Sequence, residues 1–196
     1  MQKKALLAVV ALVVVLIVGA PAFASPNLVN NGSFETGDFT GWNQTGLEEV
    51  VTGPFYVYSG AQDGNWYSVW GNIGGDGSIS QTITDSPGAH YTFSFWFASV
   101  GDNPSDFSAM WDATTVFSQT NPNTGVNWTE FSFAVTGTGS DTITFNGRDD
   151  PSWMALDNIS VTQQTGTTPE PSSLLLLGSG LLAVGGIIRR KFQANR

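Results

Sequence analysis

The chain has 196 residues, no cysteine and a formal net charge of −9. The lack of thiols excludes disulfides and thiolate metal sites. Six of the seven basic residues (Lys3, Lys4, Arg189, Arg190, Lys191, Arg196) lie near the ends, so Ser25 to Thr168 holds Arg148 alone against fifteen acids, a net −14. A surface of that sign repels phosphate backbones, which excludes nucleic acid and suits neutral ligands or hard divalent cations.

Residues 1–24 read as a secretory signal peptide. Lys3 and Lys4 supply the positive start, Ala5 to Ala20 is uncharged and apolar, and Ala22-Phe23-Ala24 offers a small-x-small cleavage site. From there to residue 162 no stretch keeps a helical period, and alternation dominates. Tyr91, Phe93, Phe95 and Phe97 share one strand face, while Thr92, Ser94 and Trp96 take the other. The same period predicts strands over Trp128 to Val135, Asp141 to Asn146 and Ala155 to Thr162. Shorter strands are expected near Val50, Tyr67, Ile79, Met110 and Val116. Gly74-Gly75-Asp76-Gly77, Ser86-Pro87-Gly88, Gly137-Thr138-Gly139-Ser140 and Asp149-Asp150-Pro151 supply the turns. About nine strands at such spacing predict an all-β domain, an antiparallel two-sheet β-sandwich of jelly-roll type. A polar linker, 163–168, follows. Ser172 to Ile188 is then 17 residues without a charge, about 25 Å of helix at the short limit for a membrane span, closed by Arg189, Arg190 and Lys191. The fold is thus expected to be flanked by a signal helix and a C-terminal transmembrane helix, with the domain on the side opposite the basic cluster.

Pro169, Glu170 and Pro171, the apolar segment and the basic cluster, in that order over 169–196, resemble the bacterial PEP-CTERM sorting signal. The resemblance implies an exosortase-type processing enzyme as partner, transient inner-membrane anchoring through the C-terminal helix, and an exported protein delivered to the cell envelope, outer surface or medium. Within 25–162, the opening Asn30-Asn31-Gly32-Ser33-Phe34-Glu35-Thr36-Gly37-Asp38-Phe39-Thr40-Gly41-Trp42 and the closing Ala155-Leu156-Asp157-Asn158-Ile159-Ser160-Val161 resemble carbohydrate-binding modules of the galactose-binding-like superfamily. That likeness implies a structural calcium tying the first segment to the last strand, with Glu35 and Asp157 as carboxylate ligands. Asp63, in the turn Gln62-Asp63-Gly64, is a third candidate.

All seven tryptophans lie in the exported region. Sugar rings pack their C–H faces on exposed aromatic rings, and Trp66, Trp70 and Trp153 are the stacking candidates, with Asn65 and Asn72 as neighbouring amides. Trp42 and Trp128 are assigned to the core. Catalysis has little support: His90 is the sole histidine, no Gly-x-Ser-x-Gly elbow accompanies it, and zinc ligands are missing. The expected function is therefore non-catalytic glycan or exopolysaccharide binding outside the cell. The alternatives are a purely structural biofilm or adhesion component and a secreted glycosidase built on two of the many acids.

Overall fold

The computed structural model describes residues 25–164. The expected signal helix, the linker beyond Gln164 and the sorting tail with its transmembrane helix lie outside the described residues. Among the described residues, no helix is long and apolar enough to cross a membrane.

Ten strands follow in order: β1 (Asn43–Thr45), β2 (Glu48–Thr52), β3 (Trp66–Trp70), β4 (Gly77–Thr84), β5 (His90–Ala98), β6 (Ser105–Trp111), β7 (Thr114–Thr120), β8 (Thr129–Thr136), β9 (Ser140–Asp149) and β10 (Met154–Gln163). They form two five-stranded sheets, β1-β4-β9-β6-β7 and β2-β3-β10-β5-β8, paired antiparallel throughout. The nine strands read from alternation are all present. The tenth, β1, is a three-residue exposed edge, Asn-Gln-Thr, which carries no apolar period to read.

Alternation decides which side chains are dry. In β5, Tyr91, Phe93, Phe95 and Phe97 are buried, and β9 buries every second residue from Asp141 to Asp149. Their rings meet between the sheets: Phe97 stacks on Phe107 at 4.3 Å, and Phe95 meets Phe145 edge-on at 5.1 Å and 86°. Each such pair adds about 0.5–1.5 kcal/mol beyond area burial.

The register also sorts the loops. Trp70 pairs with Met154, Ala98 with Ala155 and Ser105 with Asp149, so the β3–β4, β5–β6, β7–β8 and β9–β10 loops share one end, here the distal end. Thr84 pairs with Ser140 and Tyr91 with Gln163 at the other, the exit end, where Gln164 donates to the His90 carbonyl as the chain leaves the domain.

Candidate functional site

Between β2 and β3, residues 53–65 run as a strap over the outer face of the second sheet. Phe55, Tyr58 and Ala61 pack there on Tyr67, Val69, Ala98, Ala155, Trp128 and Trp153, a second apolar cluster separate from the inter-sheet core. Polar contacts hold the strap down along its length. The Tyr58 hydroxyl donates to the Trp153 carbonyl, and Trp128 Nε1 donates to the Gly60 carbonyl at 3.1 Å. Asp157 Oδ2 accepts the Gln62 and Asp63 amides at 2.8 and 2.9 Å, and Glu35 Oε1 accepts those of Asn65 and Trp66 at 2.7 and 2.8 Å. Gly64 lies at φ +65°, where an L side chain is strained, and a Cβ there would displace the Glu35 carboxylate.

The three acids expected at a calcium site therefore converge on one short segment, 62–66. Hydrogen-bond donors engage both oxygens of Asp157 and one each of Glu35 and Asp63: Asp157 Oδ1 accepts the Asn158 amide at 2.7 Å, and Asp63 Oδ2 accepts the Ser33 hydroxyl at 3.0 Å. Among the described residues, no three acidic or histidine side chains are gathered to hold a metal ion. The electrostatics of the acids differ. Asp157 is fully buried, and burial pushes its carboxyl up to about 7 against the pull of three amides. Burial acts to raise Glu35 too, yet the Trp66 and Asn65 amides hold its carboxyl below the usual range.

The tryptophans require a correction. Trp66 and Trp70 do point the same way, but inward. Trp70 is fully buried, edge-on to Phe107 at 5.9 Å, and Trp66 is half-buried against the same core and Gly37. Trp153 is half-buried beneath the strap, edge-on to Phe55 at 5.1 Å, and its ring fills the space that a side chain on Gly71 would need. Asn72 is also buried, donating to Glu48 Oε1 at 2.8 Å. None of the three rings is an open platform: Trp66 and Trp70 face the first sheet across the core, and Trp153 lies beneath the strap.

Among the described residues, one aromatic side chain is exposed: Tyr56, 60% accessible, in a residue the sequence reading passed over. Phe55 and Tyr58 exchange amide–carbonyl hydrogen bonds of 3.1 and 2.9 Å, so Tyr56 and Val57 form the tip of a tight hairpin. Tyr56 takes φ +53°, a left-handed conformation that costs an aromatic residue about 1 kcal/mol. The motif Gly53-Pro54 before and Ser59-Gly60 after the aromatic run was the available signal for this turn. Leu47, Val57, Ile73 and Val126, the other exposed large apolar residues, sit in the strap tip or in loops of the distal end.

A second group the sequence showed only as a turn is Asp149, fully buried at the last position of β9. Burial, with the charges of Asp102 and Asp150, pushes its carboxyl up to about 6.

Comparison with known proteins agrees with this architecture. A PEP-CTERM protein-sorting motif matches residues 167–191, which marks the chain as an exported protein sorted to the cell surface. No curated protein matches the chain. The structure of TmCBM61 in complex with beta-1,4-galactotriose is 20% identical with a TM-score of 0.57, covering 71% of this chain and 100% of its own. The CBM22-1 xylan-binding domain of Paenibacillus barcinonensis Xyn10C is 17% identical with a TM-score of 0.52, over 75% and 100%. A cyclase from Fischerella sp. TAU, crystallised with 4-(1H-indol-3-yl)butan-2-one, is 18% identical with a TM-score of 0.53, over 75% and 100%. The domain is thus a jelly-roll sandwich of the kind found in carbohydrate-binding modules.

Proposed function

We propose that this is a non-catalytic, exosortase-processed surface protein whose domain binds a neutral glycan at its distal end, with Tyr56 as the stacking ring. The observation that carries the reading is the exposure of Tyr56 on a hairpin fixed from below by Phe55, Tyr58 and Trp153. A rigid, preorganised ring loses little freedom when a sugar packs on it. The sorting motif and the carbohydrate-binding neighbours support a ligand in the extracellular polysaccharide. Burial of Trp70 favours the second reading, a passive matrix or adhesion component.

Affinity electrophoresis of the full-length chain in detergent, through gels cast with galactan, xylan or host exopolysaccharide, separates the two. Retardation by one neutral polymer, weakened about tenfold in Tyr56→Ala with the melting temperature unchanged, is the expected result. Equal mobility in every gel would leave the structural role.

A structural calcium at the Glu35–Asp157 segment belongs to the same proposal. Asp157 Oδ1 carries a single N–H donor, and a buried carboxylate at this position lacks a counter-charge. Glu35 Oε2 would offer the second carboxylate oxygen, with carbonyls and water completing the shell. Millimolar calcium should raise the melting temperature of the wild type by more than that of Asp157→Asn; shifts of equal size in the two refute it.

A further inference from the structure

The distal end contains a buried group that nothing in the protein satisfies. Asp149 is fully buried and inward-facing, and neither carboxylate oxygen has a hydrogen-bond partner. Ser152, three residues on in the same loop and 4% exposed, also has a buried hydroxyl without a partner. A carboxylate left in that state costs several kcal/mol unless a donor, a proton or a cation meets it.

The surroundings offer acceptors. The facing β5–β6 loop brings Asp102, and it is tied to this corner by the Asp150 amide donating to the Pro104 carbonyl at 3.1 Å and by the Ser105 hydroxyl donating to the Asp102 carbonyl. Ser105 is the ladder partner of Asp149. On the strap side, the Tyr58 hydroxyl is directed to the Trp153 and Ala98 carbonyls and so is not donated to Asp149. Basic side chains are no help. Among the described residues the one guanidinium, Arg148, faces the outside of the first sheet, where its Nε holds Asp106 at 2.9 Å, and His90 lies at the exit end.

We propose that this corner is a site for a hard divalent cation of the calcium class, with the Asp149 carboxylate as its central ligand, Ser152 Oγ beside it and Asp102 contributing from the facing loop. Two unengaged oxygens on a buried carboxylate, a hydroxyl and a neighbouring acid are the ligand chemistry such an ion takes. The site is distinct from the Glu35–Asp157 segment, where main-chain amides donate to each carboxylate. An ion here would clamp the β5–β6 and β9–β10 loops together and rigidify the end that presents Tyr56.

Terbium luminescence tests the site on the full-length chain in detergent, stripped with EDTA, with Trp153, which adjoins Ser152, and Tyr58, which donates to the Trp153 carbonyl, as the sensitising rings. Wild type and Asp157→Asn should show saturable, aromatic-excited emission that calcium competes away. In the Asp157→Asn background, Asp149→Asn should lose at least tenfold in terbium affinity while keeping its near-ultraviolet circular dichroism. Undiminished emission in that double variant, or none in the wild type, overturns the proposal. If the double variant does not fold, Asp102→Asn in the same background decides: about tenfold weaker binding supports the site, and unchanged affinity rejects it.

Discussion

Asp141 and Asp149 begin and end the inward-facing row of one strand, and both are fully buried, yet their chemistry is opposite. Burial acts to raise both. At the exit end, the neighbouring Asp85 carboxyl takes the proton in place of Asp141, while the Thr138 amide and hydroxyl reach the two Asp141 oxygens at 2.7 Å each. Together these drive the Asp141 carboxyl down to about 2. At the distal end Asp149 has no donor, faces the charges of Asp102 and Asp150, and rises to about 6. The difference shows that burial alone does not set the state of a carboxylate; the donors that the adjoining turn supplies do. The turn at Asp141 is built to hold a charge. The turn at Asp149 holds one only with help from outside the chain.

The largest expected break in this comparison comes from Asp141→Ala. It removes two charge-assisted hydrogen bonds and strands the Thr138 amide, at about 3 kcal/mol by urea unfolding at pH 7. Asp149→Asn, in EDTA, should act the other way and raise stability at pH 7 by about 1 kcal/mol, because a neutral amide is less costly to bury than an unpaired charge. The pH profiles separate them. The folded state holds Asp141 at about 2, below its unfolded value near 4, so its contribution is present above pH 4 and is lost as pH falls toward 2. Asp149, folded at about 6, binds a proton more tightly folded than unfolded, so stability falls as pH rises from about 4 to about 6. Asp149→Asn should reduce that limb to the part that Asp157, raised to about 7, contributes, and leave the acid limb alone. A variant that unfolds more easily at pH 7, with the slope intact, would place an unseen donor on Asp149.

The same contrast explains what the sequence made legible. The heavy face of β5 was readable because an inward strand face has a period of two and its partners are all apolar. Trp66 and Trp70 obeyed that period too. Their direction was not readable, because Trp66-Tyr67-Ser68-Val69-Trp70 is apolar on both faces, and only the strap packed over Tyr67 and Val69 explains why. Glu35 and Asp157 were legible through the motifs at the two ends of the domain and Asp63 through its turn, and the fold does bring them to one segment. Their engagement by main-chain amides depends on backbone contacts between residues far apart in sequence, such as Gln62 and Asp157, that no local pattern encodes. Asp149-Asp150-Pro151 read as a turn, which it is; that its first residue ends an inward row follows only once the frame of β9 is extended past Asn146. Tyr56 escaped notice because aromatics at alternate positions suggest burial, and its exposure comes from a backbone conformation that aromatic residues rarely adopt.

The smallest effect tests how Asp141 keeps its charge. Asp85 lies between two neighbours: its Oδ1 accepts the Gly139 amide at 2.6 Å, while its Oδ2 is buried without a hydrogen-bond partner. Burial raises the Asp85 carboxyl, and its contact with Asp141 raises it further, so the pair behaves as two carboxylates competing for one proton. Asp85→Asn keeps an acceptor for Gly139 and places a permanent N–H where that proton would sit. Stability at pH 7 should therefore rise by about 0.5 kcal/mol, and the gain should vanish near pH 3, where the Asp85 carboxyl is protonated in the wild type. A loss of more than about 1 kcal/mol at pH 7 would mean that Asp141 draws its low value from Thr138 alone. The donors of a single turn would then suffice to separate the two ends of β9.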